Sequence, residues 1–309
     1  MIKNGVLRLK KHNLFCWLSL SKPLCFISII LSLLLFGCKS APVGRAVDPI
    51  ELLDNNSSFY IAIPKAADSV LINRIIQNNV QGLSESDAKM ISDRVNKIYC
   101  GLERKKNHVD IQASIDGNIP VKYIPKGLNS KNGFSVQKYT PAESNLNFDI
   151  YSNESIDLSF PSQNLCCLGR DVQGMLTKYD SLLTLPADYT EIVSELSPEL
   201  IEYLKGAENE IRFFANKPQS FLTILTGAQL DLKLIDVKGS FVTDPKFENQ
   251  YLLNIDFNFK NEMFMKAGRT LLTLAFGLTN SQSIVYGEAG LQINGIKLDK
   301  KQLYKLLVL

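Results

Sequence analysis

Histidine is nearly missing from this chain, with only His12 and His108 among 309 residues, and no CxxC, HExxH, GxSxG, Walker-type GxxxxGK(S/T) or glycine-rich dinucleotide turn occurs. His108, in KKNHVD ahead of a strand, reads as a turn residue. One histidine beyond the N-terminal leader and scattered cysteines cannot assemble a typical zinc site, so neither metal nor cofactor is expected. Cysteine is sparse too: Cys38, Cys100, Cys166 and Cys167 follow the leader, and an odd remainder after Cys38, with an adjacent pair, is no disulfide framework. Asp110, Asp149, Asp157, Asp231, Asp236 and Asp256 fall in strand-like segments, but mostly at the polar alternate of an apolar/polar pattern, which a solvated sheet face explains without catalysis. The chain is not expected to be an enzyme. No Lys/Arg cluster stands outside the leader, so nucleic acid is not an expected partner. Long hydrophobic runs are also absent, since the longest uncharged apolar stretch, Leu24 to Phe36, has 13 residues against the about 20 that a spanning helix needs.

What is present begins with that stretch. Lys3, Arg8, Lys10, Lys11 and Lys22 precede or enter it with no acid, which makes a basic n-region and an apolar h-region. It closes on Leu35-Phe36-Gly37-Cys38 where a secretory signal would carry an Ala-x-Ala-like site. This resembles the lipobox of bacterial lipoproteins, which implies cleavage after Gly37 and attachment of diacylglycerol and palmitate-class acyl chains at Cys38. Phe36 departs from the small or β-branched residue usual there. Such chains hold a protein to a membrane without a spanning helix. Removing residues 1–37 takes away five basic residues, leaving 29 Lys and Arg against 31 Asp and Glu and a formal net charge of −2. The apparent basicity of the whole chain therefore belongs to its leader.

Beyond residues 1–37, read as a lipoprotein signal peptide, residues 38–56 are expected to be a tether and 57–309 a single α+β body. Alternating strands are predicted at 59–63, 109–115, 146–150, 155–160, 252–259 and 291–296, forming a mixed, mostly antiparallel sheet with one buried and one wetter face. The phase predicts Ile61, Ile63, Ile111, Phe148, Phe160, Phe213, Ile255, Phe257 and Ile293 inward, with Asp110, Asn254 and Asp256 opposite. In LDLKLIDVKGSFV the apolar phase slips after Leu234, which predicts a bulge. Helices are predicted at about 66–80, 85–97, 119–128, 165–183, 188–205, 218–226, 261–278 and 299–307, with Cys166-Cys167 packed early in the fourth. FYIAIPKAADSVLINRII and IRFFANKPQSFLTIL each read strand, Lys/Pro turn, apolar helix. Two weakly similar βαββαββ halves, about 57–160 and 208–309, are expected around a helical bridge over 162–206.

The lipobox, the near-neutral body, the FYIAIP opening strand and the amphipathic helices together resemble treponemal (spirochaetal) outer-membrane lipoproteins of the inner-leaflet type. The resemblance implies an α/β/α-like fold, amphipathic helices that engage a bilayer, a lipid-binding or membrane-perturbing role, and an outer-membrane location facing the periplasm. Only Cys38 matches position by position. The helix at 261–278 carries an apolar arc wider than the roughly 100° of an ordinary surface helix. Phe264, Leu271, Leu274, Phe276 and Leu278 are its candidate lipid-binding residues, and phospholipid or fatty acid the candidate ligand. Packing of the same arc into the core is the plainer reading. The alternative function is an adaptor or assembly protein that binds another envelope protein along a strand edge.

Overall fold

The structure, a computed structural model, describes residues 45–79, 84–105, 109–169, 171–226, 231–275 and 282–307. FYIAIP forms strand β1 (Phe59–Pro64), in which every residue is buried. A strand apolar on both faces belongs at the centre of a covered sheet, and β1 sits there, antiparallel to β2 (Val95–Arg104) on one side and to β8 (Ile211–Ala215) on the other. The remaining strands are β3 (Val109–Gly117), β4 (Ser135–Tyr139), β5 (Phe148–Ser152), β6 (Asp157–Ser162), β7 (Leu165–Gly169), β9 (Leu234–Thr243), β10 (Gln250–Phe259), β11 (Gln282–Tyr286) and β12 (Gly290–Asp299). They complete one sheet in the order β11-β12-β10-β9-β8-β1-β2-β3-β7-β6-β5-β4. Among the described residues every pairing in it is antiparallel.

Helices cover both faces, so the fold is α+β in three layers. On one face lie α1 (Ser69–Asn79), α2 (Glu85–Ser92), α6 (Pro218–Thr226), α7 (Glu262–Ala275) and α8 (Lys300–Leu307), whose Leu71, Ile72, Phe221, Leu272 and Leu303 join the largest apolar cluster. On the other lie α4 (Val172–Leu183) and α5 (Pro198–Lys205), each over its own cluster. The short α3 (Ile124–Gly127) lies in the crossover between β3 and β4, where Ile119, Leu128 and Phe134 close a fourth cluster. The predicted facing holds: Ile61, Ile63, Phe148, Phe213, Ile255, Phe257 and Ile293 are buried, and Ile111 and Phe160 are half-buried against these clusters. Asp110, Asn254 and Asp256 are half-exposed on the opposite faces. The bulge is present as well. Asn258 pairs with Asp236 and Phe259 with Leu234, which leaves Ile235 as the extra, outward residue.

Several boundaries differ from the sequence reading, each for a physical reason. Leu165–Gly169 is a strand, not the start of a helix; Cys166 and Cys167 face opposite apolar clusters, so the strand lacks the polar alternates that mark a half-exposed one. The helix begins only after Asp171, whose carboxylate accepts from Gly174 N at 3.0 Å. The first half therefore runs to Gly169 instead of 160, and the bridge expected over 162–206 begins with a strand. The helix expected over 85–97 stops at Ser92 because VNKIYCGLER is needed as β2, and that over 188–205 is helical only from Pro198, where Ser197 accepts from Leu200 N. The stretch 119–128 is a 3-10 turn, Val121–Tyr123, followed by the single turn of α3.

The tether is corrected over its described part. Asp48 and Glu51 form a reciprocal capping box around the 3-10 turn Pro49–Leu52, and Ile50, Leu52 and Leu53 are completely buried under α4 and α5. Ser114 donates to Pro49 O at 2.6 Å, and Asp54 N donates to Gln112 at 2.8 Å. With few residues and no repeat, this segment shows no periodicity, and only its partners reveal that it is part of the core.

Candidate functional site

Helix α7 is where the sequence reading places its lipid-facing residues. Asn261 opens it, accepting from Phe264 N at 3.1 Å. Its docked side is narrow. Met265 and Leu272 are buried, and Gly268 presses on Phe259 so closely that a Cβ would lie 2.3 Å from the buried ring. That approach requires glycine in mid-helix despite its cost in helix stability. Phe264 is half-buried against the same cluster. A polar stripe follows on one side, with Glu262 and Lys266 paired at 2.7 Å and Thr273 donating to Arg269 O.

The rest of the circumference is uncovered and, apart from Thr270, apolar. Met263, Ala267, Leu271 and Leu274 recur at four- and three-residue steps, which stacks them in one strip along the helix. Met263 is 67% exposed, Leu271 44% and Leu274 74%. The structure thus divides the predicted group: Phe264 turns partly inward, Leu271 and Leu274 face out, and the positions read as flanks, Met265 and Leu272, anchor the helix. Phe276 and Leu278, like Cys38, lie outside the described residues. Among the described residues no helix is long and apolar enough to cross a membrane.

A second feature sits on the opposite sheet face. A hollow of about 300 Å³ is lined by Glu199, Asp236, Lys238, Asp256, Asn258 and the turn Gly287–Gly290. Burial, with Glu199 nearby, raises the Asp236 carboxyl above its ordinary value despite the hydrogen bond from Asn258, and burial likewise raises Asp256. Lys238 pairs with Glu199 at 2.8 Å and lies opposite Asp256 in the β9–β10 register. Two carboxylates that sequence reasoning treated as separate strand residues are thereby brought together. This lining suits polar groups, not an acyl chain. Among the described residues no group of His, Cys, Asp and Glu is arranged to hold a metal ion. Burial pushes the Cys100 and Cys167 thiols up to about 12 and Cys166 well above its usual value, so none is a ready thiolate.

Comparison with known proteins gives a consistent result. A family described as outer membrane-associated lipoprotein TP0453 matches residues 44–304. The outer membrane protein TP0453 of Treponema pallidum (strain Nichols) is 24% identical over 212 residues, covering 68% of this chain and 69% of the relative. Crystal form I of TP0453 superposes with a TM-score of 0.64 at 19% identity, covering 85% of this chain and 97% of that one. Crystal form III gives 0.62 with 98% of its chain covered. At that identity the superpositions establish the shared fold.

Proposed function

Since the chain belongs to the TP0453 family of outer membrane-associated lipoproteins, we propose that it is acylated at Cys38 and engages membrane lipid through the exposed apolar strip of α7. The outer-membrane association and the lipoprotein class are properties of the family; the lipid contact is the step taken here. The observation that carries it is the exposure of Met263, Leu271 and Leu274 on a helix already held by its other side. Bringing three such side chains fully out of water gains at most about 1.5–3 kcal/mol each, and about half of that for Leu271, which is already more than half covered. That gain needs no unfolding, because Met265, Gly268 and Leu272 keep α7 docked while the strip meets acyl chains at the interface.

The test uses protein lacking residues 1–38, so that acyl chains supply no affinity. It is expected to float with liposomes. The double variant Leu271→Asp and Leu274→Asp should lose most of that flotation and keep its melting temperature within a few degrees, because both positions are already in water. Loss of fold in that variant, or flotation unchanged, would overturn the reading. Separately, Cys38→Ala in the full chain should abolish labelling by a tagged fatty acid and leave an unprocessed precursor; continued labelling would remove the anchor.

The adaptor reading is favoured by one observation. Edge strand β11 exposes Ile284 and Val285, and its sequence QSIVY has none of the charges or prolines that usually blunt an edge. A stoichiometric envelope-protein partner lost on Val285→Lys would support it.

A further inference from the structure

We infer that Asn132 is a site of spontaneous covalent modification, where the side-chain amide converts to aspartate and isoaspartate by cyclisation onto the nitrogen of Gly133. The same dipeptide at Asn294-Gly295 is held back by the sheet. The inference depends on neither acylation, lipid nor partner.

Asn-Gly occurs three times in the chain, at Asn4, Asn132 and Asn294, and the last two lie in the described body. The pair is reactive because glycine sets no side chain between its nitrogen and the preceding Cγ. Solvent hydroxide takes the Gly133 amide proton, and the nitrogen attacks Cγ of Asn132. The Cγ–Nδ2 bond then breaks, and the leaving nitrogen takes a proton from water and departs as ammonia. Water opens the cyclic imide. Attack at the side-chain carbonyl restores the ordinary backbone with aspartate, whereas attack at the main-chain carbonyl leaves isoaspartate, with the backbone running through Cβ and Cγ. The net change is amide plus water to carboxylic acid plus ammonia, and nothing is oxidised or reduced. Its requirements are a glycine N–H released from its acceptor and an asparagine free to rotate about its backbone.

The folded chain meets those requirements at Asn132. Ser130–Asn132 is a 3-10 turn closed by Gly133 in the left-handed region (φ 79°), and Ser130, Asn132 and Gly133 are exposed. The Gly133 N–H reaches Ser130 O at 3.3 Å, past the usual length of such a bond, and a Cβ on Gly133 would meet nothing within 4 Å. One long bond at the surface opens at little cost. Gly295 is as left-handed (φ 75°) and as uncrowded. Its attachments differ, because its N–H donates to the Asn254 side chain at 3.0 Å. Asn294 itself is half-buried in β12, opposite Gln282 of β11, and β10 holds Ile293 and Ile296 on either side of the pair. Rotating Asn294 means unzipping that ladder.

The Asn132 amide also has a structural task. Its Nδ2 donates to Gly127 O at 2.7 Å, which closes the end of α3. Two residues on, Phe134 is buried in the fourth cluster and its N–H donates to Asn129 O at 3.0 Å. A carboxylate has no proton to offer Gly127 O, and isoaspartate adds a backbone atom between these attachments. Modification therefore loosens the segment that covers this cluster.

The test incubates the full chain in detergent micelles at mildly alkaline pH in heavy-oxygen water, once folded and once in urea. Digestion in ordinary water and mass spectrometry then locate the label, which enters only when the imide opens. Protection is the rate in urea divided by the rate when folded. It should be at least about tenfold greater at Asn294 than at Asn132, a factor equal to about 1.4 kcal/mol of additional opening cost in the sheet. Equal protection at the two positions, greater protection at Asn132, or no label at Asn132 in the folded chain would overturn the inference. Asn132→Asp, which carries one of the products, should be cut by trypsin after Lys131 faster than the native chain; equal cutting would remove the loosening.

Discussion

Replacing Asp68 by Ala is expected to destabilise the body by about 3–5 kcal/mol, the range for removing one partner of a buried charge pair. Asp68 is 6% exposed at the joint between β1 and α1. Its carboxylate accepts from Leu71 N at 2.9 Å, from the Tyr251 hydroxyl of β10, from the Tyr304 hydroxyl of α8 at 3.2 Å, and from Lys300 Nζ at 3.0 Å. One side chain thus ties the first helix, a central strand of the second half and the last helix together. Without it, Lys300 is left with a poorly solvated charge and two buried hydroxyls lose their acceptor. For a body of this size the loss corresponds to a fall in melting temperature of roughly 10 °C.

The same site makes a pH prediction. Burial opposes ionisation of Asp68, but the hydrogen bonds from Tyr251, Leu71 and Lys300, with the Lys300 charge, outweigh it and hold the carboxyl below its ordinary 3.8. A depressed folded-state value means that the unfolded chain takes up the proton first as pH falls. The stabilisation is therefore fully present above about pH 4 and is lost as pH falls below it. The difference in melting temperature between the native chain and Asp68→Asn should stay constant above about pH 4 and shrink as pH falls below it. Parallel curves throughout would show that the carboxylate's charge contributes nothing.

Glu51→Ala should have an effect of similar size, about 3–5 kcal/mol, for a related reason. Glu51 is completely buried and accepts from Arg45 at 2.6 Å, from Val193 N at 2.6 Å and from Asp48 N at 3.0 Å. Its removal strands the Arg45 guanidinium, which is itself 6% exposed, and frees a segment whose Ile50, Leu52 and Leu53 are completely buried. Limited proteolysis should then cut within residues 45–53, where the native chain resists. The double variant Arg45→Met and Glu51→Leu should recover most of the lost stability, because it removes both charges and keeps apolar volume. A single variant that melts like the native chain would show the pair to be dispensable.

Much of the strand framework was legible because alternation is a local signal. In QYLLNIDFNF every second residue is apolar, and Tyr251, Leu253, Ile255, Phe257 and Phe259 all reach the core. The bulge at Ile235 was equally readable, since a slip of phase in an alternating pattern has few other meanings. LCCLG was misread because cover on both faces erases alternation, and in VNKIYCGLER the first three residues were taken into the preceding helix and the rest given no element because its pattern is irregular. At the candidate site the width of the apolar arc on α7 was visible in the sequence. Which part of that arc is buried was not, because the docked side depends on a glycine meeting Phe259 from another element.

By itself the sequence pointed to the class of the chain: a basic, then apolar N-terminal stretch whose end resembles a lipobox, a near-neutral body without metal or nucleophile motifs, and an α+β arrangement of alternating strands and amphipathic helices. These follow from composition and from periods of two and 3.6 residues, which a single segment carries within itself. Only the tertiary structure decided that residues 45–53 belong to the core, that Asp68 gathers partners up to 236 positions away, and that α7 leaves Leu274 in water while burying Leu272. Those outcomes depend on which surfaces meet after the chain has folded back on itself, and contacts between distant segments leave no local period to read.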